Sequence, residues 1–339
     1  MIEQRQHTSS SASSSTAKCT RIRVGDLIDV VLVTNPEQIH WLNEHPDVTR
    51  PLDPTASWLH RIIERRLTSD LGFERGVLPV FLPRTDEARA ERQAKLVEEL
   101  EKARGSPGEE TREIADFVAG KNETPDIGVA VQQWCGRLFF AHFRSAAEIY
   151  EAGRLLATWP SAPPWRTWTA RLTGRLSSAK SELSNAAEGD PHCIHGTSIG
   201  MENVARTVRQ MRKAARSLDK KKLSPDDAVR ECLAAPPAVL RGCDREVVCP
   251  FLDRPLTRRT IVIFLLAKAY AQSGDIDVAF LSKNWSACPA RHVIPEMLRA
   301  VWYAAHHDEA KDTLIETMNV VNGWSRLWQR AVSNLEGRT

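Results

Sequence analysis

"NWSACPARHVIPEMLRAVW", residues 284–302, sets Cys288 in a turn immediately ahead of an apolar stretch with helical spacing. How that cysteine is read decides the fold. Trp285 precedes it, Pro289 restricts the turn, and the helix beginning nearby directs its positive end toward the sulfur. With Arg291 and His292 close in sequence, this setting favours thiolate over thiol and can offer a soft anionic ligand to a metal. The competing reading is a small buried hydrophobe, the commoner role of a free cysteine.

Bulk properties bound the rest of the chain. At 339 residues and 42% hydrophobic content it can bury one large core or two modest ones. The 46 basic and 43 acidic residues nearly cancel and form no long block of one sign, so no nucleic-acid partner is expected. Seven cysteines, an odd number without a repeated CxxC, speak for a reducing, cytoplasmic setting over a secreted disulfide framework. The opening "MIEQRQHTSSSASSSTAKC" lacks the apolar centre of a secretory signal. Residues 1–20 read as a flexible Ser-rich tail and 21–339 as a single globular domain. "IVIFLLA" at 261–267, the longest apolar run, is too short for a membrane span.

Periodicity divides the chain into mostly helical segments. "DLIDVVLVTN" (26–35) reads as a strand and turn, and a helix follows from Glu37. "TASWLHRIIERRLTSDL" (55–71) places Trp58, Leu59, Ile62, Ile63 and Leu67 on one side and a basic face on the other. Residues 85–105 predict a charged surface helix, 127–143 a largely buried one, and 157–172, with three tryptophans and three prolines, a loop or broken helix. Further helices are expected at 199–218, 223–237, 293–306 and 311–333, with a strand from 258 that passes into a short helix. The fold class is mainly α with a small β-sheet.

The order of four segments resembles the haem-thiolate monooxygenases, cytochrome P-450. "IGMEN" (199–203) is similar to the family's central-helix pattern of small residue, Gly, any residue, acid and hydroxyl residue. "RECLAAPPAVLRG" (230–242) resembles its Glu-x-x-Arg helix followed by proline, with Glu231 matching and Ala234 at the arginine position. The strand "RRTIVIFLLAKA" and "SACPAR" follow in the family's order. "VLVTNPEQIHWL" and "HRIIERRLTSDLGFERG" look like its opening strand and its haem-facing helix, so the likeness runs over about 22–302. Around Cys288 the family's glycines are absent, Ser286 stands where an Arg or His is common, and Ala290 replaces Gly.

The resemblance implies a cytochrome P-450-like helical fold, reduced in size, holding haem b with Cys288 as axial thiolate. His60, Arg65 and Arg241 are then the candidate cations for the propionates, and Glu202 and Asn203 the candidate distal pair. It also implies an apolar or amphipathic organic substrate, with electrons from a ferredoxin or flavin reductase unless peroxide replaces them. Blander readings stand beside these: a solvated basic face for His60 and Arg65, and a capping pair for Glu202 and Asn203. A haem-free relative serving as a binding or partner subunit, and an unrelated helical protein, are the alternatives for the whole chain. His192, Cys193 and His195 suggest zinc, but no second cluster of matching spacing follows them.

Overall fold

The computed structural model describes residues 19–306 except 26–27, 51, 85–86, 104–108, 123–126, 141, 218–222 and 284. The Ser-rich tail up to residue 18 and the helix expected at 311–333 lie outside the described residues.

β-branched residues open the chain as strands β1 (Thr20–Val24) and β2 (Ile28–Val33), paired antiparallel. Asn35 caps α1 (Pro36–Glu44) by accepting from the Gln38 amide, and Pro36 suits the first helical turn. After the short β3 (Val48–Thr49), Ser57 caps α2 (Trp58–Glu64), which continues as a π-helical turn, Arg65–Ser69. A two-stranded ribbon, β4 (Gly72–Phe73) with β5 (Gly76–Val77), leads to α3 (Glu87–Ala103), α4 (Glu109–Ala119) and α5 (Gly128–Arg137).

Next come α6 (Ala147–Thr158), α7 (Pro164–Leu172) and α8 (Arg175–Ala186). The expected broken helix at 157–172 is a single 3-10 turn followed by α7. The short α9 (Pro191–His195) runs through a π-helical turn, Gly196–Gly200, into α10 (Met201–Ala215). The helix expected at 223–237 is shorter: α11 (Pro225–Cys232) ends before the two prolines, and the chain re-extends as β6 (Val239–Cys243). Pro236 and Pro237 cannot supply helical amide donors, and the Ala234 amide donates instead to Thr207 Oγ1 at 2.9 Å. β7 (Ile261–Phe264), α12 (Leu266–Ser273), α13 (Ile276–Phe280) and α14 (Val293–His306) complete the described chain.

The main sheet runs β1-β2-β7-β6-β3, with β2 and β7 parallel and the other pairs antiparallel. Val31, Val33, Val262 and Phe264 bury one of its faces with Ile39 and Leu42 of α1. The larger core lies among α4, α5, α10, α11 and α14, where Ile114, Val118, Val131, Val208, Leu298 and Trp302 are buried together. Each such side chain contributes about 1.5–3 kcal/mol of apolar burial, which makes this bundle the rigid frame for the turn at Cys288. Among the described residues no helix is long and apolar enough to cross a membrane.

Candidate active site

Cys288 sits between α13 and α14, in a turn fixed at both ends. Leu281 ends α13 in the left-handed region, at φ 50°, and the Cys288 amide donates back to the Phe280 carbonyl at 2.8 Å. The Cys288 carbonyl in turn accepts from the Arg291 amide at 3.2 Å. Burial pushes the thiol up, while the Ala290 amide and the Arg291 charge favour the thiolate. As a residue Cys288 is half-buried.

Beside the turn, arginines converge on Trp285. The ring lies 4.5 Å from the Arg89 guanidinium, 5.1 Å from that of Arg241 and 5.6 Å from that of Arg84, and its Nε1 donates to the Asn43 carbonyl at 2.9 Å. Arg241, fully buried on β6, donates through Nε to Asn43 Oδ1 (2.7 Å), through Nη2 to Ser286 Oγ (2.7 Å) and through Nη1 to the Leu240 carbonyl (3.0 Å). Arg50 Nε donates to that same carbonyl at 3.3 Å, and its Nη1 to the Val80 carbonyl. Two guanidiniums thus meet on one oxygen, with a third across Trp285.

Such crowding is costly. Burial and the charges of Arg50 and Arg89 hold Arg241 well below its usual range. Burial and Arg89 lower Arg50 to about 9 against partial support from Glu64. Among the described residues no carboxylate is a hydrogen-bond partner of Arg241, so its charge is left uncompensated without an anion. Helix α3 closes this side, since Gln93 Nε2 donates to the Ala287 carbonyl at 3.1 Å.

Arg50 also acts on the junction of α9 and α10. His195 is held neutral by burial, by His192 and by Arg50, with its value down at about 4, and its Nδ1 is buried without a hydrogen-bond partner among the described residues. A Cβ built on Gly200 would meet only the His195 carbonyl oxygen, at 3.6 Å, so there is room at this turn. Helix α6 crosses the same turn closely: a Cβ on Gly153 would lie 2.6 Å from the Thr197 carbonyl.

The residues singled out in the sequence divide between these places. Cys288 and Arg241 share the site, linked through Ser286 and the turn. Glu202 lies at the start of α10 with Oε2 buried and unbonded among the described residues, and its charge supports that of Arg154 on α6. Asn203 Nδ2 donates to the Ile199 carbonyl at 3.3 Å. His60 is buried in α2 with Nδ1 against Ser57 Oγ at 2.7 Å and near Thr260, and Arg65 is exposed; neither is brought to Trp285. The structure also brings Arg50 and Arg89 there; the sequence reading did not single out Arg50 and had Arg89 only as part of the charged surface helix at 85–105. Among the described residues no group of three or more His, Cys, Asp or Glu is placed to hold a metal ion.

These elements define a class: a helical bundle laid against a small mixed sheet, with a cysteine turn entering a helix of the bundle. Solved structures place it further. CYP175A1 from Thermus thermophillus is similar at 13% identity and a TM-score of 0.52, over 86% of this chain and 84% of its own. A cytochrome P450, CYP102L1, is similar at 15% identity and a TM-score of 0.50, over 86% and 88%. No protein-family model matches the sequence, nor does any curated protein. The chain has the cytochrome P450 fold.

Proposed function

We propose that the chain binds haem through Cys288 and acts as a haem-thiolate oxidoreductase on an apolar or amphipathic organic molecule. The observation that carries this reading is Arg241, fully buried beside the Cys288 turn, with the half-buried Arg50 and Arg89 close to it. Arg241, Arg50 and Arg89 repel one another, and the two carboxylates of a haem's propionates are the anions that would relieve them. The room at Gly200 agrees with a bulky group beside the start of α10.

When bound, the haem supplies an iron whose thiolate ligand favours O–O cleavage. The chain's own residues do the rest. Cys288 gives up its proton on ligation, helped by the Ala290 amide and Arg291. Arg241 and Arg50 would hold the propionates. Glu202 Oε2 is positioned to hold a proton, whereas Asn203 can hydrogen-bond but cannot pass a proton on as a hydroxyl does. That pairing suits peroxide as co-substrate as well as electrons from a ferredoxin or flavin reductase.

Reduced protein loaded with haem and exposed to carbon monoxide is expected to show a red-shifted Soret band that is lost in Cys288→Ala. Protein that stays colourless after haem supplementation sinks the reading. A second reading, a haem-free relative acting as a partner subunit, is favoured by Ala234, buried where the family's bracing arginine belongs, and by the exposed Glu231 beside it. The same titration separates the two.

A further inference from the structure

Three of the largest exposed apolar side chains of the described residues lie on α7. Trp165, Trp168 and Leu172 are 66%, 66% and 73% exposed. Their spacing, i, i+3 and i+7, gathers them on one stripe, opposite the buried Thr167 and Ala170. α7 is seated on the continuation of α2: Arg66 Nη1 donates to the Ala162 carbonyl at 3.1 Å, and Arg171 pairs with Asp70. α2 itself adds Trp58 and Ile62, 48% and 46% exposed, so neighbouring helices carry five large apolar side chains in water. A patch of that make-up marks an interaction surface rather than scattered exposure.

Its surround is cationic. Between Thr158 and Ser181 the chain holds Arg166, Arg171, Arg175 and Lys180 and no acid. Between Ser57 and Ser69 it holds Arg61, Arg65 and Arg66 against Glu64 alone, and that carboxylate is buried on the Leu52 amide. Arg61, Arg65, Arg166 and Arg175 are exposed. The chain's net charge is only +3, so this concentration of positive charge is local.

We propose that the α2/α7 face docks on an anionic lipid bilayer, with α7 lying in the plane of the interface. Indole rings favour the headgroup level because one edge is polar and the body apolar. Guanidiniums beside them meet lipid phosphates in paired hydrogen bonds. At nine residues α7 is far too short to span, and its apolar stripe with arginine flanks is the pattern of a helix lying on a membrane. The proposal rests on this surface and stands apart from the haem reading.

The test sediments the full chain with vesicles of phosphatidylcholine mixed with phosphatidylglycerol, and with pure phosphatidylcholine, at low and high salt. Binding is expected to the anionic vesicles only, weakened by salt. Trp165→Ser with Trp168→Ser is expected to lower partitioning by about tenfold or more, and Arg166→Glu with Arg175→Glu by a similar factor. Circular dichroism identical to the parent's establishes that these exposed positions leave the fold intact. Absence of binding to either vesicle overturns the proposal, as does binding that both variant pairs leave unchanged. A concentration-dependent dimer in lipid-free ultracentrifugation, abolished by the tryptophan pair while vesicle binding persists, reassigns the face to a second copy of the chain.

Discussion

Arginines on helices α2 and α3 meet opposite fates. On α2 the arginines at 61 and 65 point to solvent, and what the helix buries is His60 and Glu64. On α3 Arg89 is drawn over Trp285 at 4.5 Å, and Gln93, one turn on, reaches the Ala287 carbonyl. A guanidinium in water needs no further partner, while that of Arg89 is held against the ring and donates to the Leu82 carbonyl at 2.6 Å. The two helices therefore differ in how far the fold withdraws their arginines from water: Arg61 and Arg65 are exposed and Arg89 is half-buried.

The sharpest way to break this contrast is a haem titration of paired variants. Arg241→Met or Arg89→Met is expected to weaken haem binding at least about a hundredfold, because each removes a buried charge from beside a carboxylate. Arg65→Met, on α2, is expected to change it less than about twofold. If Arg65→Met proves as damaging as Arg241→Met, the propionates lie at α2 and the comparison is reversed.

A pH experiment tests the same contrast through histidines. Burial, His192 and Arg50 lower His195 to about 4 from an ordinary 6.5. Below pH 6.5 the unfolded chain therefore takes up a proton that the folded chain refuses. Stability from this group is complete above about 6.5 and is lost as pH falls toward 4, by about 2 kcal/mol at pH 5. His60 on α2 is also lowered by burial, so it acts in the same direction. Urea unfolding across that window should show the slope in the parent and a flatter one in His195→Gln. A slope that survives in His195→Gln and disappears in His60→Gln places the dominant buried imidazole on the α2 side.

These comparisons also show what the sequence could disclose. The helix after Cys288 was legible because Val293, Leu298, Val301 and Trp302 repeat at helical spacing, and the structure has it at the expected Val293–His306. Arg241 was legible by its place after Pro237 in a family order. The choice between α2 and α3 was not, since both carry arginines on an amphipathic helix and periodicity cannot say which neighbour covers a face. Arg50 lies between a two-residue strand and a loop, where no pattern announces burial. The π-helical turn at Gly196–Gly200, which α6 crosses closely at Gly153, carries no periodicity signal of its own.

A smaller effect concerns the seating of α3. Gln93→Ala removes a side-chain hydrogen bond from this helix to the Cys288 turn and is expected to cost about 1 kcal/mol in urea unfolding of the haem-free chain. A cost below about 0.3 kcal/mol would show that packing of Leu96 and Leu100 against Val293 holds the helix there without it.

The smallest effect expected is the most discriminating. Arg65→Glu reverses a charge on the exposed face of α2, where the guanidinium is open to water. Stability is expected to move by no more than about 0.5 kcal/mol, and haem titration not at all, because water screens the site from Trp285. The same substitution removes a cation from the face that carries Trp58 and Ile62 and should weaken sedimentation with anionic vesicles by about fivefold or more. One residue then separates two roles that a basic helix can have. Unchanged haem binding with weakened vesicle binding assigns α2 to the surface and α3 to the site. Weakened haem binding with unchanged vesicle binding assigns them the other way round.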